Sequence, residues 1–241
     1  MKAAPTAQAT LLTIVELENK VKAADTRQRT LPEHEQLNTL NTRRRQLADD
    51  ATKADAAASD GDVAMQRIEE DLTTARTRLQ RDKQRIDDGV VNDARSIGSL
   101  QDEITHLTGR INELEDKQLE LMMAIEDDHK SAESARTDKA DVETQMRALL
   151  VSRDASTKEI ADELAGLAAE RATLVAGLPD DLVALYEKAA IRGGGGASQL
   201  KAGRCTGCGL MLDALARRAA EDAPADEVVR CAECGRILIR P

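Results

Sequence analysis

Apolar residues recur along this chain at alternating steps of three and four. From Ile97 to Ile125 they read Ile97, Leu100, Ile104, Leu107, Ile111, Leu114, Leu121 and Ile125, with Gln118 as the one polar member. That is a coiled-coil seam of about four heptads, with Ile at a and Leu at d. The seam weakens through Ala132, Ala135, Lys139, Val142, Met146 and Leu149 and recovers near Ile160 and Leu167. The first half repeats the spacing from Leu37 and Leu40 through Leu47, Ala51, Ala54, Ala58, Met65, Ile68, Leu72, Ala75 and Leu79 to Ile86.

Between the halves lies DDGVVNDARS. Asp88-Gly89 reads as a helix C-terminus, and Asn92 or Asp93 as the next N-cap. A break this short joins antiparallel neighbours, so the pattern predicts a long helical hairpin with its tip near residues 87–94. With the turn centred near residue 90, Ala54 and Ala58 are expected to face Leu121–Ile125, and Ala132 and Ala135 to face Leu47. Small residues then meet large ones on both sides of the seam. A parallel intermolecular coiled coil is the rival arrangement, but it gives the breaker at the tip no purpose.

A second break falls near residues 30–32. Thr30, Pro32 and Glu33 have the spacing of a capping box. The segment before it, carrying Leu11, Leu12, Val15, Leu17 and Val21, forms a shorter helix. After Leu174 the seam ends. Pro179 and Asp180 open a short amphipathic helix with Leu182, Leu185, Tyr186 and Ile191. Gly193 to Gly196 then read as a flexible joint. The division expected is residues 1–178 as the antiparallel coiled-coil hairpin, and 179–241 as short helix, glycine linker and a small cysteine-bearing domain.

Composition agrees with a mainly α chain of long helices. Phe and Trp are absent and Tyr186 is the sole tyrosine, so a compact core built on aromatic area is excluded. Charged residues make up 32% of the 241, and the net charge of -10 disfavours a general nucleic-acid binder. Neither a secretory signal nor an apolar run long enough for a bilayer is visible. The expected setting is the cytoplasm, without membrane contact, where paired cysteines bind metal or do redox work rather than form structural disulfides.

All four cysteines lie near the C-terminus, as Cys205 and Cys208 in GRCTGCG and Cys231 and Cys234 in VRCAECG. The spacing C-x2-C-x22-C-x2-C, with glycine after each pair, is that of a C4 zinc ribbon: each turn presents two thiolates to one Zn2+. So small and apolar-poor a fragment needs such a staple to fold. Four thiolates fill the shell and leave no position for a reactive water, so the zinc is structural. A thioredoxin-like pair lacks the surrounding βαβ pattern. A four-thiolate iron–sulfur cluster stays open on chemistry alone.

LPDDLVALYEKAAI before the cysteines, CTGCG, the closing CAECGRIL and RSIGSLQDEI after the tip together resemble a bacterial family of long helical-hairpin proteins with a C-terminal C4-type zinc ribbon. The resemblance spans essentially the whole chain. It implies zinc at Cys205, Cys208, Cys231 and Cys234. Some members are linked to an alternative sigma factor and to messenger RNA for flagellar parts. This chain departs from them in having no aromatic residue in the ribbon and Ile239 where tyrosine is often seen, and those partners are not carried over.

No catalytic constellation can be argued. His34, His106 and His129 are far apart and read as solvent-facing, the acidic residues are interleaved with basic ones, and GGGG lacks the Lys-Ser/Thr of a phosphate loop. From Arg192 onward eight Lys or Arg stand against six Asp or Glu, so the tail is mildly basic on an acidic chain. Arg217, Arg218, Arg230, Arg236 and Arg240 could form a basic face giving modest, salt-sensitive phosphate contacts. The expectation is a non-enzymatic zinc-binding adaptor or regulatory protein with a protein partner, near transcription or RNA handling, and no small-molecule substrate. The alternative is a nucleic-acid-binding protein acting through those arginines.

Overall fold

The computed structural model describes residues 1–191 and 193–240; Arg192, included in the charge count of the basic tail, lies outside them. The elements run α1 (Pro5–Arg29), α2 (Pro32–Asp87), α3 (Ala94–Ala176), α4 (Asp180–Ala190), β1 (Ala197–Lys201), β2 (Arg204–Cys205), α5 (Ala214–Asp222), β3 (Val229–Arg230) and β4 (Ile237–Ile239). They form two compact units. One joins Met1–His34 to Leu150–Pro241, and the other is Glu35–Leu149.

The second unit is the antiparallel coiled coil. Leu72, Ala75, Leu107, Ile111 and Leu114 make one buried cluster, and Leu47, Ala51, Ala135 and Val142 another. Ala135 therefore meets Leu47 as the pattern of small and large residues implied. Ala58, one turn from Gly61, is buried, and Leu121 and Ile125 meet α2 at Gly61 as well, where a Cβ would come within 2.6 Å of Ile125 Cγ1. Ion pairs flank the seam: Arg78 to Glu103 at 2.7 Å, Arg76 to Glu115 at 2.6 Å and Arg136 to Asp55 at 2.5 Å. Each is at least partly solvent-exposed, and such pairs contribute about 0–1 kcal/mol and chiefly favour register. At the tip, α2 stops at Asp87, and Asp93 Oδ1 accepts the Ser96 amide at 2.7 Å as the N-cap of α3. That amide holds the exposed Asp93 carboxyl below its usual range.

In the first unit, Leu11 and Ile14 of α1, Leu182 and Tyr186 of α4, and Ala197, Ile237 and Ile239 of the sheet share one core. Ile191, expected with the apolar face of α4, caps that helix instead and is 85% exposed. The break between α1 and α2 is where the sequence puts it, but not as a capping box. Thr30 is not extended as an N-cap; it completes α1, its hydroxyl donating to Thr26 O at 2.8 Å. Glu33 is buried and accepts from the hydroxyls of Ser152 (3.2 Å) and Ser156 (3.4 Å).

Gly193–Gly196 form a packed strap rather than a flexible joint. Gly193, Gly194 and Gly195 take φ of +91°, +79° and +85°, values that L side chains rarely adopt. A Cβ at Gly196 would fall 2.1 Å from the Tyr186 carbonyl oxygen. Arg236 donates to Gly193 O (2.5 Å) and Gly195 O (3.0 Å), and the Ile237 amide donates to Gly196 O (2.9 Å). A glycine run allows close approach as well as flexibility, and composition alone does not distinguish the two.

The strap leads into a four-stranded sheet of order β2-β1-β4-β3. β1 runs parallel to β4, with Ala197 opposite Ile237, while the outer pairs are antiparallel. β4 is buried on both faces: Ile237 and Ile239 enter the core with α1 and α4, and Leu238 lies under the cysteines.

Candidate metal centre

The two cysteine pairs fold alike because they share the sequence Arg-Cys-x-x-Cys-Gly. In the first, the Gly209 amide donates to Cys205 O at 2.9 Å and the Cys205 amide to Leu210 O at 3.0 Å. In the second, the Gly235 amide donates to Cys231 O and the Cys231 amide to Arg236 O, both at 2.9 Å. Gly209 and Gly235 take nearly equal φ, +74° and +75°, which closes each turn tightly around its sulfurs. The arginine before each pair adds a matching strut: Arg204 donates to Gly209 O, and Arg230 Nε to Gly235 O at 3.0 Å.

The strands bring the turns together. The sulfurs of Cys205 and Cys234 are 3.8 Å apart, those of Cys208 and Cys231 4.0 Å, and all four lie within 4.8 Å of one another. Zinc–thiolate bonds of about 2.3 Å in a tetrahedron place sulfurs about 3.8 Å apart, so the group fits a single ion of that kind. The same separations are far beyond a disulfide bond, and the four thiols are free. Cys205 and Cys231 are buried and Cys208 and Cys234 half-buried, over Leu238 with Leu212 and Val229 alongside. Four cysteines so placed could hold a metal ion.

Their electrostatics point the same way. Burial resists ionisation of Cys205, but the Ser198 hydroxyl, 3.1 Å from its sulfur, and the amides of Cys208 and Gly207 outweigh it, bringing the thiol down to about 7. Cys231 is pushed up to about 12 by burial, with the neighbouring thiols of Cys234 and Cys205 adding to it. At Cys208 the Leu210 amide favours the thiolate, yet burial and the Cys205 and Cys234 thiols raise it. Four sulfurs this close cannot all carry charge unless a cation sits among them. Ser198, 4% exposed on β1, was not singled out from the sequence; only the strand pairing brings it to Cys205.

The five candidate arginines are not brought to one face as free groups. Arg230 and Arg236 serve the second turn and the glycine strap. Arg240 caps the end of α5, donating to Ala220 O (3.1 Å), Ala223 O (2.5 Å), Pro224 O (2.7 Å) and Glu227 O (2.8 Å). Arg217 and Arg218 are exposed on α5, with Arg217 3.7 Å from Glu221. A sequence shows their charge but not which carbonyls the fold leaves for them.

Comparison with known proteins places the whole architecture. The model of the CT398-like coiled coil hairpin domain matches residues 14–194, three quarters of the chain. The chain belongs to this family. Two Mycobacterium tuberculosis proteins, Rv2229c of strain H37Rv and MT2288 of strain CDC 1551, are 30% identical over 244 residues, covering 100% of this chain and 98% of each relative. A solved structure from Mycobacterium smegmatis superposes with a TM-score of 0.82 at 30% identity, covering 100% of both chains. CT398 of Chlamydia trachomatis shares the fold at a TM-score of 0.59 and 16% identity, over 98% of this chain and 95% of that one. HP0958 of Helicobacter pylori does so at 0.52 and 15%, over 99% and 98%. The family model covers the hairpin, and here the four-cysteine sheet follows it. No described helix is long and apolar enough to cross a membrane.

Proposed function

We propose that this chain is a non-enzymatic, zinc-binding adaptor of the cytoplasm. In this reading its coiled coil and its ribbon contact a macromolecular partner in transcription or RNA handling. One observation carries the reading: four cysteine sulfurs lie within 4.8 Å of one another, a set that as thiolates would fill the coordination sphere of a tetrahedral ion. Zn2+ held by Cys205, Cys208, Cys231 and Cys234 has no open coordination position, so it organises a surface rather than activating water or substrate. The remaining investment of the chain is a solvent-facing two-helix arm, a form suited to contact over length. A protein partner is favoured over nucleic acid because Arg230, Arg236 and Arg240 are engaged with main-chain carbonyls, which leaves Arg217 and Arg218 as the exposed pair among the five without such a carbonyl bond. Phosphate affinity from two such charges is small and salt-sensitive.

The test is affinity capture from the native cytoplasm, with and without nuclease, comparing wild type with Cys231→Ser. A nuclease-resistant protein lost with the cysteine supports an adaptor whose ribbon takes part in the contact. Recovery of nuclease-sensitive RNA or DNA alone refutes the reading in favour of nucleic-acid binding. Steady turnover of a small molecule abolished by mutating a hairpin carboxylate would overturn the non-enzymatic assignment.

A further inference from the structure

The seam of the coiled coil is unevenly supplied in its middle. From Ala56 to Ala64, α2 reads AAASDGDVA, so that Val63 is its single large apolar side chain, and Val63 is itself 49% exposed. Opposite Gly61, α3 carries Leu121 and Ile125, and on its outer flank Leu119, Met122 and Met123, which are 60%, 53% and 68% exposed. Steps of three and four put those three on one side of the helix. Beside them, Met65, Met122, Ile125 and His129 line an open groove of about 590 Å³. Scattered exposed apolar residues are ordinary, but a contiguous apolar strip rimmed by polar residues marks an interaction site. Methionine suits such a strip, being flexible and polarizable enough to fit more than one shape.

The rim is mainly acidic. Between Ala56 and Gln66, α2 has Asp60 and Asp62 and no Lys or Arg. Between Gln118 and Glu133, α3 has Glu120, Glu126, Asp127, Asp128 and Glu133 against Lys130 alone. Lys130 is itself held by Glu126 at 2.8 Å and Asp127 at 3.8 Å. Of these carboxylates, Asp62, Glu126 and Glu133 line the groove itself beside Lys130, with Arg136 3.7 Å from Glu133, so carboxylates outnumber cations around it and complement one class of ligand.

We propose that this groove docks a basic amphipathic helix of a partner protein, its apolar face on Met65, Met122 and Ile125 and its Lys or Arg residues on the acidic rim. The proposal rests on the reading of a binding protein given above and supplies the chemistry of what the arm binds. A docked helix adds the third apolar face that the thin stretch of α2 does not provide. Recognition of this mode combines apolar anchors at helical spacing with a charge match that sets orientation and on-rate.

The probe is a leucine–lysine peptide of about 18 residues, five helical turns, with its leucines on one face. The control is a scrambled peptide of identical composition. Titration against the full-length protein carrying 13C-methyl methionine reads six signals, those of Met1, Met65, Met122, Met123, Met146 and Met211. The expected result is movement of Met65, Met122 and Met123 with the amphipathic peptide. Binding should weaken at least tenfold in Met122→Gln/Met123→Gln and in Asp60→Asn/Asp62→Asn. Circular dichroism of both variants checks that the helices are retained, and since Met122, Met123, Asp60 and Asp62 are exposed, they should be. Equal binding of the scrambled peptide would reduce the effect to bulk charge and overturn the proposal. So would a shift confined to Met211, or a self-association by sedimentation that the methionine variants abolish, which would make a second copy the occupant. A captured protein that persists while the peptide fails to bind would sink the groove and leave the binding reading standing.

Discussion

Gly61→Ala should destabilise the coiled coil, although alanine is the better helix former. At Gly61 an added Cβ lies 2.6 Å from Ile125 Cγ1 and 3.2 Å from Cδ1. Carbon atoms are comfortable at about 3.5–4.0 Å, so Ile125 or the helix backbone must move by close to an ångström. Cγ1 sits next to the branch point of a stiff side chain and cannot swing away as a terminal methyl can. Gly109, in the opposing helix, is the internal control, because a Cβ there meets nothing within 4 Å. Either substitution gains about 1 kcal/mol of helix propensity. Gly61→Ala alone adds overpacking, which costs about 1–3 kcal/mol. Gly109→Ala should therefore stabilise by about 1 kcal/mol, and the two variants should differ by about 1–3 kcal/mol. Urea unfolding followed by helical circular dichroism, with the slope checked for constancy, measures both. If Gly61→Ala is as stable as Gly109→Ala, the close approach of α2 to Ile125 is wrong, and with it the account of why the groove beside it is open.

Tyr186, the only tyrosine in a chain without tryptophan, can be followed alone by ultraviolet difference absorbance. Burial, then its 2.8 Å donation to Glu18 Oε2, raises its phenol far above the usual tyrosine range. The folded form holds that proton more tightly than the unfolded chain. The stabilisation is therefore complete below about pH 10 and lost as pH climbs toward the folded value. Tyr186→Phe should flatten this alkaline decline, and a tyrosine titrating normally in the folded protein would contradict the burial. For the metal centre, one ion per chain should shield all four thiols from a thiol reagent. Chelation should expose four together and speed amide exchange at Ile237, whose N–H closes onto Gly196. Because the ligands are thiolates, acid competes with the metal, so affinity should fall as pH falls. Chelation that leaves exchange at Ile237 unchanged would mean the sheet does not depend on the metal.

The heptads of residues 97–125 and the Gly89 and Asp93 signals were enough to give the antiparallel hairpin, since both are local in sequence and backed by a long periodic run. The cysteine set was equally legible, because metal chemistry fixes ligand type and spacing within each turn. The errors all concern residues whose role depends on distant partners. Thr30 and Glu33 have capping-box spacing, but Ser152 and Ser156 reach Glu33 from more than a hundred residues away. Among the arginines, the sequence shows the charge but not that Arg236 and Arg240 bond the carbonyls of the strap and of α5.

Periodicity, chain breaks and ligand spacing are properties of neighbours along the chain, so the amino-acid sequence alone determined the helical hairpin, its two interruptions and the four-thiolate group. Close approach, burial and hydrogen-bond partnership depend on which surfaces meet after folding. Only the tertiary structure could therefore decide that Gly193–Gly196 pack as a strap, that Ser198 faces Cys205, that Arg236 and Arg240 are structural, and that Gly61 lies against Ile125 beside an open acidic groove.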